Sequence, residues 1–138
     1  MKKEQILTKK LNAFTLTELL VVLVIIGILV LLALPDHSTV ISKAKSREAM
    51  LQLKQIHSLE TTHFYTYSKY SSDLAEIDFV PPKTVKQNGD ANYRYEITSA
   101  GASGFQARAT AVVDFDQDGT MNVWEIDQNG TPKEMVKD

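Results

Sequence analysis

Phe14–Leu34, FTLTELLVVLVIIGILVLLAL, carries a single charged residue, Glu18, four places after its start. At about 1.5 Å per residue such a run makes roughly 31 Å of helix, close to the hydrocarbon thickness of a bilayer. It is long enough to span a membrane. An ionised carboxylate inside a lipid-embedded helix costs on the order of 2.5 kcal/mol or more and marks a functional partner. Glu18 therefore calls for something positive beside it.

Upstream, residues 1–13 hold Lys2, Lys3, Lys9 and Lys10 against Glu4 alone. By the positive-inside bias this basic leader stays cytoplasmic and the chain after Leu34 is translocated. Leu34-Pro35-Asp36-His37 offers no small-x-small cleavage site, so the apolar helix is expected to be retained. Residues 36–138 then form one small water-facing domain. Because the leader is basic, that domain is more acidic than the total charge of −2 indicates, and no basic stripe with interleaved aromatics points to nucleic acid. There are no cysteines, which excludes disulfides, thiolate zinc sites and cysteine nucleophiles.

The basic leader, the passage Ala13-Phe14-Thr15-Leu16-Thr17-Glu18-Leu19-Leu20, the apolar run and Pro35 together resemble type IV pilins and the pseudopilins of type II secretion. The resemblance implies that a prepilin peptidase cuts between Ala13 and Phe14 on the cytoplasmic side and methylates the new amino terminus. Ala13 stands where the family has glycine. It further implies that Glu18 of one subunit pairs with the Phe14 amine of its neighbour as subunits leave the membrane through an inner-membrane assembly platform, fixing axial register in a helical homo-oligomeric filament. A carboxylate in a low-dielectric bundle needs such a cation.

Between Gly27 and Pro35 a kink or locally melted stretch is expected, since Pro35 lacks a donor and crowds the preceding turn. Related filaments loosen there, which would give extensibility; a passive kink is the alternative. From Asp36 to about Tyr67 the helix is read as continuing, with Val40, Ile41, Ala44, Leu51, Gln55 and Leu59 as the stripe leaning on a sheet. His37, His57 and His63 are not at metal-pair spacing and read as surface or boundary residues. Ser71–Glu76 reads as a capped short helix ended by Pro81-Pro82. Phe64, Tyr65, Tyr70, Asp73 and Leu74 also resemble the pilin passage from helix to sheet, and Tyr65, Tyr67 and Tyr70 read as core or subunit interface.

Lys83 to Asn92 reads as a surface loop. Alternation then marks strands at Tyr93–Thr98, Phe105–Val113 and Thr120–Ile126, with a weaker fourth at Thr131–Val136. Turn-sized gaps make the sheet an antiparallel meander. The expected class is α+β: a long N-terminal helix packed on a small antiparallel sheet of three to four strands, the pilin fold. The expected divisions are a leader at 1–13, a transmembrane and polymerisation helix at 14–35 and a head at 36–138.

Asp114, Asp116, Asp118, Gly119 and Glu125 fit the Ca²⁺-loop pattern D-x-D-x-D-G followed at distance by Glu. Thr120, through its carbonyl, and Asn122 would add ligands, and Glu125 would close the shell. A second reading is structural. Asp118-Gly119 is also a hairpin-turn signal, and a two-residue turn there pairs Gln117 with Thr120 and Val113 with Trp124, sets Glu125 opposite Val112, and leaves the acids solvated. The two readings exclude each other. Strand-like flanks argue against an EF-hand, whereas the family resemblance raises the case for a calcium-binding β-loop.

A membrane-stored pilin that polymerises into a surface filament is the favoured function. The same subunit as a major pseudopilin in a short periplasmic piston is the nearest alternative; a membrane-tethered calcium-binding domain is the third. No nucleophile–base set supports an enzyme.

Overall fold

A computed structural model describes residues 13–34 and 38–138. It contains two compact units, divided after Pro35.

The first unit is the helix α1, Leu16–Ala33. Thr15 caps it, with Glu18 three positions on completing a capping box, so the sequence T-x-x-E starts the helix where the apolar run begins. No residue of α1 is buried. A helix apolar all round with nothing covering it is suited to lipid or to other helices rather than to water. Among the described residues it is the one helix long and apolar enough to cross a membrane. Of the stretch from Gly27 to Pro35, where a kink or local melting is expected, the described part is helical: α1 runs through Gly27 to Ala33, the Leu34 N–H still bonding the Val30 carbonyl. The next residue, Pro35, and any kink there lie outside the described residues.

In the second unit a 30-residue helix, α2 (Ser38–Tyr67), is followed by a crossover, a short 3-10 turn at Val85–Gln87 and four strands. These are β1 (Tyr93–Ala100), β2 (Phe105–Ala111), β3 (Val123–Asp127) and β4 (Lys133–Val136). They form one antiparallel meander in the order β1-β2-β3-β4. The result is the α+β arrangement expected, a long helix packed on a four-stranded sheet.

Alternation aims Tyr93 and Tyr95 of β1, Phe105, Ala107, Ala109 and Ala111 of β2 and Ile126 of β3 into the core, where they meet Ala49, Leu53 and Ile56 of α2. Burying each of the larger side chains contributes about 1.5–3 kcal/mol.

The helix face is the reverse of the one expected. Val40, Ile41 and Leu51 are 64%, 47% and 69% exposed; Ala44 and Gln55 are exposed too, and Leu59 sits at the margin. The buried stripe is Ser42, Ser46, Ala49, Leu53, Ile56 and Glu60. It keeps the three–four spacing, but its first members are serines. They are buried because their hydroxyls have internal acceptors: Ser42 donates to the Asp138 carbonyl at 2.7 Å and Ser46 to the Ser42 carbonyl at 2.9 Å.

Two further expectations are corrected. Ser71–Glu76 is a set of turns rather than a helix. Ser71 Oγ accepts the Asp73 N–H, Asp73 caps Ala75, and Asp78 takes a left-handed φ of 57°, which halts helical continuation. The surface loop expected at 83–92 is found, with most of its residues exposed, and it turns tightly, since a Cβ at Gly89 would lie 2.1 Å from the Lys83 carbonyl oxygen. The hairpin at Asp118-Gly119 is absent: Thr110 pairs with Val123, Ala109 with Trp124 and Arg108 with Glu125. The third strand starts at Val123 because Asn122 turns fully inward, accepting the Tyr93 hydroxyl at 2.7 Å and donating to Glu134 and to the Val136 carbonyl.

His57 and His63 are boundary residues as expected, bonding the Gln128 and Lys69 carbonyls; His37 lies outside the described residues. Of the three tyrosines, Tyr70 stacks between Phe64 and Phe105 at 4.7 and 5.1 Å, while Tyr65 and Tyr67 are exposed.

Candidate functional site

At the head of α1, Ala13 and Phe14 are exposed and non-helical, and the helix begins only beyond Thr15. The bond between them is therefore open to an attacking group rather than shielded by helical hydrogen bonds. Glu18 Oε2 accepts both the Thr15 N–H and the Thr15 hydroxyl at 2.9 Å, and the Glu18 N–H donates to Thr15 Oγ1 at 3.3 Å. The Thr17 hydroxyl lies 3.1 Å from that of Thr15. Within a single chain the carboxylate is thus held by its own helix start. Sequence reasoning asked for a cation beside Glu18 and passed over Thr15, although T-x-x-E is a signature of this capping arrangement. Gly27 lies within α1 with open space around it.

The acidic loop joins β2 to β3. It is organised by side chains that accept backbone N–H groups. Asp114 takes those of Gln117 and Gly119 at 2.6 and 2.7 Å, Asp116 that of Asp118 at 3.1 Å, and Asp118 that of Thr120 at 2.7 Å. Gly119 has a φ of 92°, the left-handed region its lack of a Cβ permits. A residue from far along the chain completes the loop: buried Asp138 accepts the N–H groups of Phe115 and Asp116, each at 3.0 Å. Carboxylate oxygens of Asp114, Asp116 and Asp138 come within 4.8 Å of one another. Asp116 accepts the Asp118 N–H, which favours its charged form, yet desolvation and the negative charges of Asp118, Asp138 and Asp114 hold its carboxyl above the usual range.

The loop pattern is therefore realised in part. Asp114 and Asp116 converge, with Asp138 in place of the expected closing residue. Asp118 and Thr120 bond to one another at the rim, and Asn122 is committed to Tyr93, Glu134 and Val136. Glu125 stands on β3, where it accepts the Gln106 side chain at 2.6 Å and Arg108 Nε at 2.8 Å, with Arg108 Nη2 at 2.7 Å. It is a strut on the sheet face turned away from Ile126 and the core. Three converging carboxylates supply hard oxygen donors of the kind Ca²⁺ prefers, with water left to fill the remaining positions.

Residues 8–34 match the family described as the prokaryotic N-terminal methylation motif. The matched stretch takes in the Ala13-Phe14 bond, Glu18 and α1, so the chain carries the N-methylation motif. The chain is also 32% identical over 89 residues to the type IV major pilin protein PilA of Myxococcus xanthus (strain DK1622). That stretch is 64% of this chain and 38% of the relative, so the chain spans well under half of the protein it matches. It is a distant homologue of a type IV major pilin, and its fold is pilin-like.

Proposed function

We propose that this chain is a structural subunit of a type IV pilus, cut by a prepilin peptidase between Ala13 and Phe14, methylated on Phe14 and assembled into a helical filament through α1. The observation that carries this reading is α1 itself: 18 residues apolar on every side, none buried, with one acid at its head inside a methylation motif. Such a surface needs lipid while the subunit is stored and other copies of itself once it leaves, with the assembly platform of the inner membrane making the exchange. In storage the N-terminus is cytoplasmic and the head lies across the membrane; after assembly the head is on the cell surface. Glu18, released from Thr15, pairs with the Phe14 amine of the next subunit.

Electron microscopy of sheared surface material, probed with antibody to the head, tests the proposal. Long labelled filaments in the wild type, and none with Glu18→Ala despite normal membrane insertion, are expected. Filaments from the mutant would sink the register role. Absence of filaments in the wild type together with a secretion defect would replace the pilus by a periplasmic pseudopilus.

The calcium reading continues as a proposal on a smaller ligand set, Asp114, Asp116 and Asp138. It is supported by their convergence and by the mutual repulsion that a divalent cation would relieve.

A further inference from the structure

Glu60 is the one carboxylate on the buried stripe of α2, with 0% of its surface exposed. Its Oε2 accepts the backbone N–H of Ser71 at 3.0 Å, and its Oε1 is buried with no hydrogen-bond partner. Ser71 is itself buried and is the knot of the crossover that leads from α2 to the sheet. Its hydroxyl bonds Glu76 Oε2 at 2.5 Å and the Asp73 carbonyl at 3.1 Å while accepting the Asp73 N–H. Immediately before it, Tyr70 donates its N–H to the Gly101 carbonyl and stacks on Phe64. Glu60 is thus the buried side chain through which α2 grips the crossover.

An ionised carboxylate here would leave Oε1 desolvated and unanswered, a cost that falls on the charged form alone. The charged and titratable groups facing it are His63 on the same helix and Glu76 on the crossover. His63 when protonated favours ionisation and Glu76 opposes it. Burial, only partly offset by the Ser71 N–H and by His63, raises the Glu60 carboxyl above its ordinary value.

We propose that Glu60 is a proton-dependent latch: neutral, it can stay buried while accepting the Ser71 N–H, and once ionised its unanswered Oε1 must reach water, which loosens that crossover while the rest of the head stays folded. The sign follows from linkage. Below the ordinary carboxyl value both folded and unfolded chains hold the proton, and the latch is fully closed. As pH rises past that value the unfolded chain loses its proton first, so stability falls until the folded carboxyl also ionises, above which the effect levels off.

The test is hydrogen exchange at the Ser71 amide in the full chain in detergent micelles, corrected for intrinsic base catalysis, between acid and mildly alkaline pH. In the wild type, protection at Ser71 should be lost progressively as pH rises past the ordinary carboxyl value and then level off, while protection at Leu53 and Ala107 stays level. Glu60→Gln, isosteric and uncharged, should hold protection at Ser71 flat. Parallel profiles in the two proteins would overturn the proposal. Should Glu60→Gln fail to fold, Glu76→Gln keeps the question open to decision: it removes the facing negative charge, so loosening must move to lower pH, and an unmoved transition would overturn the latch.

Discussion

Replacing Glu125 by glutamine separates a structural strut from a metal ligand. Glu125 is 8% exposed and receives Gln106 Nε2, Arg108 Nε and Arg108 Nη2. Hydrogen bonds to a charged group contribute about 1.5–3 kcal/mol each. The Arg108 side chain, however, is 41% exposed, so water recovers part of its pairing when the carboxylate is neutralised. Glutamine also keeps a carbonyl oxygen as acceptor. The expected loss is therefore about 1–2 kcal/mol, or roughly 5–10 °C in the melting midpoint of a head of this size. The assay is thermal melting by circular dichroism of the full chain in detergent, once in EGTA and once in millimolar Ca²⁺. Glu125→Gln should lower both midpoints equally, leaving any calcium-induced rise intact, whereas Asp116→Asn should abolish that rise. A site filled to a hundredfold over its dissociation constant raises stability by about 2.7 kcal/mol, a readily measured shift. If Glu125→Gln removes the calcium response, or lowers the midpoint by less than about 2 °C, the assignment of Glu125 to the strut is wrong. If the wild type shows no response to calcium, the calcium proposal fails and the strut stands.

Three other perturbations have defined outcomes. Gly130 has a φ of 77° and a Cβ there would lie 2.9 Å from the His57 ring, so Gly130→Ala should cost about 1–2 kcal/mol from the left-handed backbone alone, read by urea unfolding. Tyr93→Phe removes the donor to Asn122 in the core and should cost about 1–3 kcal/mol by the same assay, because Asn122 Oδ1 is left without the Tyr93 hydroxyl. The Asn129 N–H, and to a lesser degree Lys133, hold the Asp127 carboxyl below the usual range, so its contribution is present above the ordinary carboxyl value and lost as pH falls through the lowered one; Asp127→Asn should flatten the acid side of the melting-versus-pH curve, and an unchanged acid limb would show the turn gains nothing from that charge.

The strands could be read from the chain because alternation is a signal that each strand carries within itself. Tyr93, Tyr95, Phe105, Ala107 and Ala109 point to one side whatever their neighbours do. The existence and end of α2 were equally legible, since its 3.6-residue period persists to Tyr67. Its orientation was not. Val40, Ala44, Leu51 and Gln55 obey the helix period as well as Ser42, Ser46, Ala49 and Leu53 do, and periodicity finds a stripe without saying which side faces the sheet. The choice falls to the serines because their hydroxyls are satisfied within the fold, one of them by Asp138. That partner lies 96 residues away in the chain, beyond any window in which a period can be counted.

The same distance separates what was legible in the candidate sites from what was not. At α1 every group that matters lies within a few residues, so Phe14, Thr15 and Glu18 could be seen together, and only the capping role of Thr15 went unread. In the acidic loop the spacing of Asp114, Asp116 and Asp118 is local and was seen. The residue that closes the cluster is set by sheet register instead. Pairing Arg108 with Glu125 across β2 and β3 draws Glu125 to a guanidinium, and pairing Val123 with Val136 across β3 and β4 carries the chain on to Asp138, against the loop amides of Phe115 and Asp116. A motif that counts positions along one strand cannot know that a neighbouring strand will deliver the third carboxylate. Asp138→Asn therefore discriminates between the loop pattern and the register. It should weaken any calcium response as strongly as Asp116→Asn does, and a response that survives it while disappearing in Asp118→Asn would return the site to the linear pattern.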